Sequence, residues 1–261
     1  MPAAKFPVRS KDGRWFLVDL RDGIYTNLYF LGMYEPHVTA AVRRVLREGD
    51  LAVDVGANFG WYTTLFAEIV GPLGAVHGLE PVSWIYRQLE GNLWLNGTPP
   101  WVTIRQLALS DRREEVQLHV FAGLPHGHSS ISDLGRTDFS IHRAPAVPLD
   151  DYLEEEHAAM PALVKLDVEG AEMKVLRGAA GLLASPRPPM WIVEINEETS
   201  AWFRYSPEDL LSVFSGRGYR FVVLRRQPVA LRTGVRYQHG DNVLCYIPDL
   251  HGGRIDRLGV A

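Results

Sequence analysis

Short apolar runs alternate with segments of helical periodicity along most of this 261-residue chain. The first run, residues 51–55, is followed by a glycine-containing turn and then by a helical segment, and the same order repeats further along. Apolar runs of this length separated by helices are typical of buried parallel strands. Such strands are predicted at residues 51–55, 75–79, 102–109, 163–168, 190–195, 219–224 and 243–247. The alternation predicts an α/β fold with a seven-stranded, mostly parallel sheet and helices on both faces.

Two regions depart from this alternation. Residues 1–35 mix Gly, Asp and aromatic residues without a long period, which indicates an N-terminal arm of short strands. A single domain is then predicted over residues 36–261. Within it, residues 112–148 begin as an alternating strand and become rich in Gly, Ser, His and Pro. Because long structureless loops are uncommon in compact domains, we predict a β-rich insertion there, between the third and fourth core strands.

Composition limits the classes of function. The chain has 27 Lys and Arg residues against 31 Asp and Glu residues, which disfavours non-specific binding to nucleic acid. No apolar run approaches the roughly 20 residues that span a bilayer, and the first residues lack a signal-peptide pattern. Cys245 is the only cysteine, so an internal disulfide is excluded. We therefore expect a soluble, cytoplasmic protein without nucleic-acid or membrane partners, and the oligomeric state stays open.

The turn after the first strand is the most informative stretch. Gly56 and Gly60 permit a tight turn and close approach of a ligand to the backbone. The dinucleotide-binding pattern needs two further glycines, where this chain has Asn58 and Trp61. Asp54, at the end of the strand, would repel a pyrophosphate but favour an ammonium or sulfonium group. A positively charged, nucleotide-like ligand is therefore predicted in preference to a nicotinamide dinucleotide.

A second acidic residue supports this interpretation. Glu80 ends the next strand, where a carboxylate can accept hydrogen bonds from both hydroxyls of a ribose. Alternatively, Asp54 and Glu80 cap the helices that follow them. Acids at two successive strand ends around a glycine turn favour the ligand-binding interpretation.

Four segments together identify a family resemblance. They are DVGANFG at 54–60, LEP at 79–81, ALSD at 108–111 and KLDVEGAE at 165–172, of which the last is the most specific. In this order they resemble the FkbM-type family of S-adenosylmethionine-dependent methyltransferases, and the likeness runs from about residue 34 to residue 224.

The resemblance implies a class I methyltransferase (Rossmann-like) sheet whose last strand is antiparallel, with S-adenosylmethionine as the cofactor. It implies that the glycine turn contacts the methionine end of the cofactor, that Glu80 and Pro81 contact the ribose, and that Ala108 and Leu109 line the adenine pocket. The segment with Tyr34 and Glu35 looks like the one that folds over the cofactor in relatives. The implied contacts of the methionine end are Asp54, Gly56, Asn58 and Gly60, and Ala57 and Asp167 are further predicted cofactor contacts.

The strand at 163–168 and its successor place further polar groups at the same edge. Lys165, Asp167 and Glu169 share a face where the chain is extended. We predict Asp167 and Glu169 as catalytic groups that stabilise a sulfonium or take the proton of an acceptor hydroxyl, and Glu194 as a substrate contact. Two alternatives remain. Glu194 and Asn196 could join a divalent-cation site, although we predict no metal. Glu172 is better interpreted as favouring the N-terminus of the following helix through its dipole.

The insertion supplies the remaining candidates. His128 is predicted as a further catalytic residue, a base near neutral pH, and Ser129 and Ser130 as contacts to a polar acceptor. A metal site at His126 and His128 is a weaker alternative, because no third ligand stands at a familiar spacing.

These features predict O-methylation of a hydroxyl on a small molecule, such as a sugar or natural product, and hence a role in natural-product biosynthesis. N-methylation of a small-molecule amine and a nicotinamide-dependent oxidoreductase are the alternatives, and a cofactor-binding protein without catalysis is also compatible. A nucleic-acid acceptor is disfavoured. The segment from Asp167 lacks the Asp/Asn-Pro-Pro-aromatic pattern of base-amino methylation, and Cys245 is remote from this edge in sequence.

Overall fold

The computed structural model describes residues 5–21, 23–121, 129–130, 139–231 and 240–259. The strands are β1 (Phe6–Arg9), β2 (Trp15–Val18), β3 (Leu51–Val55), β4 (Ala75–Leu79), β5 (Val102–Arg105), β6 (Ala108–Leu109), β7 (Glu114–Phe121), β8 (Ser129–Ser130), β9 (Phe139–Val147), β10 (Leu163–Leu166), β11 (Met190–Ile195), β12 (Arg220–Val223), β13 (Val229–Ala230) and β14 (Asp241–Tyr246). The α-helices are α1 (Thr26–Leu31), α2 (Pro36–Val45), α3 (Trp61–Val70), α4 (Ser83–Leu95), α5 (Leu149–Glu155), α6 (Glu172–Arg177), α7 (Ala180–Ala184), α8 (Glu197–Trp202), α9 (Pro207–Ser215) and α10 (Pro248–Ile255).

The central sheet has the strand order β13-β12-β14-β11-β10-β3-β4-β5. Strands β11, β10, β3, β4 and β5 are parallel, whereas β14 runs antiparallel to both β11 and β12. The predicted α/β architecture and the antiparallel last strand are confirmed. Among the described residues the sheet has eight strands instead of the predicted seven, because Val229–Ala230 adds an edge strand. Two residues are too few to show an alternating pattern.

Each face of this sheet has its own apolar core. Side chains alternate between faces along a strand. Ala52 and Leu163 belong to the core that also contains residues of α2, α3 and α10. Val53 and Val164 belong to the core shared with α5, α6, α7 and α9. The helices therefore cover both faces, as predicted. None of the helices in the described part of the chain has the length and apolar composition needed to cross a membrane.

A second sheet, of order β6-β9-β7-β8, is formed mainly by residues 114–147. The strand predicted at 102–109 is divided between the two sheets: β5 pairs with β4, and β6 pairs with β9. One continuous apolar run cannot indicate such a change of partner. The helical segment that follows the β10 turn is divided into α6 and α7. The break falls at Gly178, where a Cβ would overlap the carbonyl oxygen of Ser110.

The first strands form a hairpin, β1–β2, that packs against α4. The amide of Leu17 donates to Asn92 Oδ1 (2.8 Å), and Gln88 Nε2 donates to the carbonyl of Leu17 (2.6 Å). A 3₁₀ helix, Gly23–Tyr25, and α1 then lead the chain to the carboxyl ends of the central strands.

Candidate active site

A cavity of about 330 Å³ lies at the carboxyl ends of β3, β4, β10 and β11. Parallel α/β sheets bind ligands at this edge, because the strands end there and the following turns supply polar groups. Most of the predicted site residues line the cavity: Tyr34, Glu35, Gly56, Asn58, Glu80, Pro81, Ala108, Leu109, Asp167, Glu169 and Glu194.

The outcome differs for the other predicted site residues. Ala57 and Gly60 are not among the described residues that line the cavity. Asp54 is also not on the wall: it is buried below it and accepts a hydrogen bond from Thr63 Oγ1 (2.6 Å). This happens because the side chain of Asp54 projects onto the sheet face covered by α3. His128 lies outside the described residues. Ser129 and Ser130 form β8, and their predicted contact with an acceptor stays a prediction.

The two glycines of the turn after β3 are required by packing of the protein against itself. Gly56 has φ +80°, and a Cβ there would overlap the backbone carbonyl of Asp167. Gly60 has φ +89°, and a Cβ would lie 2.5 Å from Leu89 Cδ1. These packing contacts require glycine at both positions, and the predicted close approach of a ligand stays a prediction. The two glycines let the β3 turn lie directly against the β10 turn and against α4.

Glu80 links two loops at the cavity wall. Its carboxylate accepts hydrogen bonds from the amide of Asn58 (3.0 Å) and from the amide of Val82 (2.9 Å), just before α4. Burial raises the pKa of Glu80 to about 7, and the two backbone hydrogen bonds oppose that rise. Glu80 therefore accepts a hydrogen bond from an amide near the start of α4, as the capping interpretation requires. It also lines the cavity, as the ligand-binding interpretation requires.

The sheet face that packs against α2 and α3 becomes polar at its carboxyl end. We call these residues the polar cluster: Glu35, Asp54, Tyr62, Lys165 and Asn242. Lys165 Nζ donates to Asp167 Oδ2 (2.6 Å) and lies 4.7 Å from the centre of the Tyr62 ring. Glu35 accepts hydrogen bonds from the Tyr62 hydroxyl and from Asn242 Nδ2 (3.3 Å). Asp54 and Lys165 are paired in register between β3 and β10.

Lys165 is the cation of the polar cluster. Burial would lower the pKa of Lys165, but the carboxylates of Asp167, Glu35 and Asp54 outweigh it and raise the pKa above its usual range. Burial raises the pKa of Asp54 to about 6 and also raises that of Glu35, while the nearby Lys165 opposes both shifts. One buried ammonium thus balances part of the charge of three carboxyl groups.

Three carboxylates converge beside this cluster. One oxygen from each of Asp167, Glu169 and Glu194 lies within 4.8 Å of the others. Burial raises the pKa of Glu194 well above its ordinary value, and the charges of Asp167 and Glu169 raise it further. Carboxylates this close resist ionising together unless a cation joins them. The group could hold an ammonium, a sulfonium or a metal ion.

Asn196, a candidate metal ligand in the divalent-cation alternative, is used to cap a helix instead. Asn196 Oδ1 accepts from the amides of Glu198 (3.0 Å) and Thr199 (3.3 Å), so it is the N-cap of α8.

The interpretation of Glu172 as a helix-dipole residue alone is wrong. Its side chain is buried, and Oε1 accepts hydrogen bonds from the amides of Val168 and Gly170, both at 3.1 Å. The distinction could not be made from sequence, because a glutamate at a helix start fits both roles.

Of the six non-glycine residues with a positive φ in the described part of the chain, three line the cavity. Glu35 (φ +39°), Asn58 (φ +51°) and Glu169 (φ +54°) are non-glycine residues in the left-handed region, and all three line the cavity. Such conformations cost about 1–3 kcal/mol each and persist where the surrounding structure fixes them, often at functional sites.

Some lining residues were missed by sequence reasoning. Gly23, Ile24 and Asn27 reach the cavity from the N-terminal region, and Leu118 reaches it from the second sheet. No local pattern marks the first three. The alternation along 115–121 indicated a strand, but its position over the central sheet edge depends on long-range packing.

The fold and cavity define an α/β protein with an acidic ligand site at the carboxyl ends of its parallel strands. The chain belongs to the FkbM methyltransferase family: the family described as "Methyltransferase FkbM domain" matches residues 54–221, more than half of its length. The match contains the β3 turn, Glu80 and the β10 turn. Family membership supports a methyltransferase function.

Two named relatives agree with this assignment. The chain is 25% identical over 236 residues to the hexuronic acid methyltransferase AglP of Haloferax volcanii, covering 86% of each chain. It is 25% identical over 216 residues to the 31-O-demethyl-FK506 methyltransferase FkbM of Streptomyces tacrolimicus, covering 73% of this chain and 80% of that one. A solved FkbM methyltransferase structure from Methylobacillus flagellatus KT aligns with a TM-score of 0.47 and 15% identity, over 76% of this chain and 43% of that chain.

Proposed function

We propose that this protein is an S-adenosylmethionine-dependent methyltransferase that O-methylates a hydroxyl of a small molecule, such as a sugar or a natural product. One observation carries the proposal. Among the described residues, those lining the cavity include five carboxylates and no Lys, Arg or His side chain. The carboxylates belong to Glu35, Glu80, Asp167, Glu169 and Glu194.

This charge distribution favours a cationic donor. A diphosphate in the cavity would meet carboxylates without an opposing basic side chain, whereas a sulfonium would be attracted to them. We propose that Glu80, on the wall and at the end of β4, accepts hydrogen bonds from the ribose hydroxyls. A nicotinamide dinucleotide would bring its negative diphosphate to this acidic edge of the sheet, which counts against the oxidoreductase alternative.

These carboxylates suit the positive charge of S-adenosylmethionine. We propose that Gly56 and Asn58 contact its methionine end, that Glu80 and Pro81 contact the ribose, and that Ala108 and Leu109 lie against the adenine. When bound, this cofactor supplies a methyl group on a positively charged sulfur, so the protein needs only to position the acceptor and remove a proton.

The carboxylates of the β10 turn are the proposed proton acceptors. Asp167 is hydrogen-bonded to Lys165, which fixes its orientation and keeps its charge balanced. Glu169 and Glu194 lie beside it, so a hydroxyl entering the cavity would meet carboxylate oxygens on more than one side. His128 stays a further proposed base.

The names of the two curated relatives support a hydroxylated small molecule as the acceptor. One name refers to a hexuronic acid and the other to 31-O-demethyl-FK506. We extend only this general class to the present chain.

Calorimetric titration with S-adenosylmethionine and with NADH tests the proposal. We expect heat of binding with the first ligand alone. In Glu80→Gln the affinity for S-adenosylmethionine should fall about tenfold, because an amide replaces a carboxylate that accepts hydrogen bonds. Glu115→Gln, a change on the exposed side of β7, is the matched control and should bind like the wild type. Tight binding of NADH without binding of S-adenosylmethionine would overturn the proposal.

A further inference from the structure

The turn between β10 and α6 carries two of the cavity carboxylates in a strained conformation. Glu169 has φ +54°, and the next residue, Gly170, has φ +103°. A positive φ is unfavourable for Glu169 because it has a Cβ, whereas Gly170 tolerates it. The turn needs support from outside its own residues.

Glu172, the first residue of α6, supports the turn from its C-terminal side. Its Oε1 accepts hydrogen bonds from the amides of Val168 and Gly170, the residues on either side of Glu169. Glu172 is only 3% exposed, so these bonds are shielded from water. One carboxylate oxygen therefore holds both flanks of the strained residue.

Tyr205 supports the turn from the loop that follows α8. Its hydroxyl donates to Glu172 Oε2 (2.7 Å) and also lies 2.9 Å from the carbonyl oxygen of Gly170. Phe203, in the same loop, packs against Gly170 so closely that a Cβ there would lie 2.7 Å from its ring. The carboxylate of Glu172 is thus fixed by the turn on one side and by Tyr205 on the other.

We propose that Glu172 and Tyr205 are positioning residues, which hold the turn at 167–171 so that Asp167 and Glu169 present their carboxylates to the cavity. Neither belongs to the described residues that line the cavity, so both act through the turn. The role of Glu172 depends on its ability to accept hydrogen bonds, and its charge is not required. The consequence for ligand binding rests on the proposed function.

Four variants separate this role from general stability. Tyr205→Phe removes the outer hydrogen bond, Glu172→Ala removes the inner ones, and Glu172→Gln keeps an oxygen for the two amides and an N–H for the Tyr205 oxygen. The matched control is Tyr219→Phe, because the Tyr219 hydroxyl also donates to a buried backbone carbonyl, that of Pro189 (2.8 Å), away from the turn.

Amide hydrogen exchange at Val168 and Gly170 measures the turn directly. Relative to wild type, we expect exchange about fivefold faster in Tyr205→Phe and at least tenfold faster in Glu172→Ala, since a hydrogen bond contributes roughly this factor. Glu172→Gln and Tyr219→Phe should stay within about twofold of wild type at these two amides.

Binding of S-adenosylmethionine and of S-adenosylhomocysteine measures the consequence. The two ligands differ in the charge on sulfur, so displaced carboxylates should weaken the first more than the second. We expect Tyr205→Phe to lose about fivefold in affinity for S-adenosylmethionine and at most about twofold for S-adenosylhomocysteine. Loss of stability alone would weaken the binding of both ligands equally. Any effect of the control Tyr219→Phe should be of this kind.

The inference would be overturned by unchanged exchange in Tyr205→Phe and Glu172→Ala, or by a Glu172→Gln variant as impaired as Glu172→Ala. Equal weakening of the two ligands in Tyr205→Phe would also reject it. If the wild type bound neither ligand, the proposed function would fail, while the exchange rates would still decide whether Glu172 and Tyr205 hold the turn.

Discussion

Lys165 and Asp167 form a hydrogen-bonded ion pair of 2.6 Å in which the lysine side chain is only 2% exposed and the aspartate is 23% exposed. The two residues are two positions apart, at the end of β10. The lysine is therefore held below the cavity and the carboxylate at its wall. A fully buried ammonium is costly to desolvate, so its partners decide whether the protein tolerates it.

Replacing this lysine should unbalance the polar cluster. In Lys165→Met, the buried carboxyls of Asp54 and Glu35 lose their nearest cation, and we expect the free energy of unfolding at pH 7.5 to fall by about 3–5 kcal/mol. Part of that loss should be recovered at pH 5, because protonation removes the uncompensated charges. Urea unfolding at the two pH values measures both effects.

Lys174→Met provides the control for that experiment. Lys174 pairs with Glu114 at 3.8 Å on the surface, and such a pair contributes at most about 1 kcal/mol. An equal loss in the two variants would show that burial of Lys165 has no special role.

The stability of the wild type should decrease as pH rises from 4.5 to 7.5. The pKa values of Asp54 and Glu80 are raised in the folded protein to about 6 and about 7, so the folded state holds protons that the unfolded state has already released. The effect of Glu80 is about 3 kcal/mol, at about 1.4 kcal/mol per pKa unit. Urea unfolding across this range measures it, and Glu80→Gln should flatten the curve.

The acids whose pKa values are lowered titrate below this pH range. Burial also lowers the pKa values of His77 and His251, and these two residues contribute the opposite slope within the range. Burial would raise the pKa of Asp12, but the hydrogen bonds and charges of its arginine neighbours outweigh burial and lower that pKa. A hydrogen bond from Arg21 lowers the pKa of Asp19 to about 2. These two carboxyls contribute stability that is lost only under more acidic conditions. A stability curve that rises toward pH 7.5 would contradict the assignment of Asp54 and Glu80.

A methyl group at Gly56 should be far more damaging than one at an unobstructed glycine. Gly56→Ala introduces both a left-handed alanine and an overlap with the Asp167 carbonyl, so we expect a loss of roughly 3 kcal/mol or more. Gly97 has a similar φ of +87°, and no neighbour lies within 4 Å of the place that a methyl group would occupy. Gly97→Ala should therefore cost only about 1–2 kcal/mol. Denaturant unfolding of both variants isolates the steric contribution. Equal losses of stability would show that the β3 and β10 turns can move apart without cost.

Glu194 should contribute to the choice between charged and uncharged ligands. Glu194→Gln removes one of the three convergent carboxyls, and we expect about tenfold weaker binding of S-adenosylmethionine with little change for S-adenosylhomocysteine. Calorimetric titration with both ligands measures the difference. If wild type and variant bound S-adenosylmethionine with equal affinity, its positively charged sulfur would lie elsewhere in the cavity.

Much of the fold could be predicted because local signals coincide with element ends. The strands Leu51–Val55, Ala75–Leu79 and Met190–Ile195 have the predicted bounds, since each apolar run is followed by glycine or a polar residue. By contrast, the change of sheet after Arg105 and the break at Gly178 depend on contacts with distant parts of the chain.

The candidate site was predictable to a similar extent. Acids at strand ends, such as Glu80, Asp167 and Glu194, follow from the direction of parallel strands. The burial of Asp54 below the wall could not be inferred, because it depends on which face α3 covers. Asn242 and Tyr205 approach from antiparallel or irregular segments far along the chain, and no spacing in the sequence relates them to the β10 turn.

The contact between Gly56 and the carbonyl of Asp167 restricts how this protein can be redesigned. A change in residues 165–172 that shifts the backbone of Asp167 also displaces the β3 turn. The proposed acceptor side and the proposed cofactor side of the cavity therefore cannot be adjusted separately there. Selectivity is better changed from the periphery, where Ile24, Asn27 and Leu118 border the cavity from outside the central sheet. Libraries targeted to these three positions would leave the shared turn contact intact.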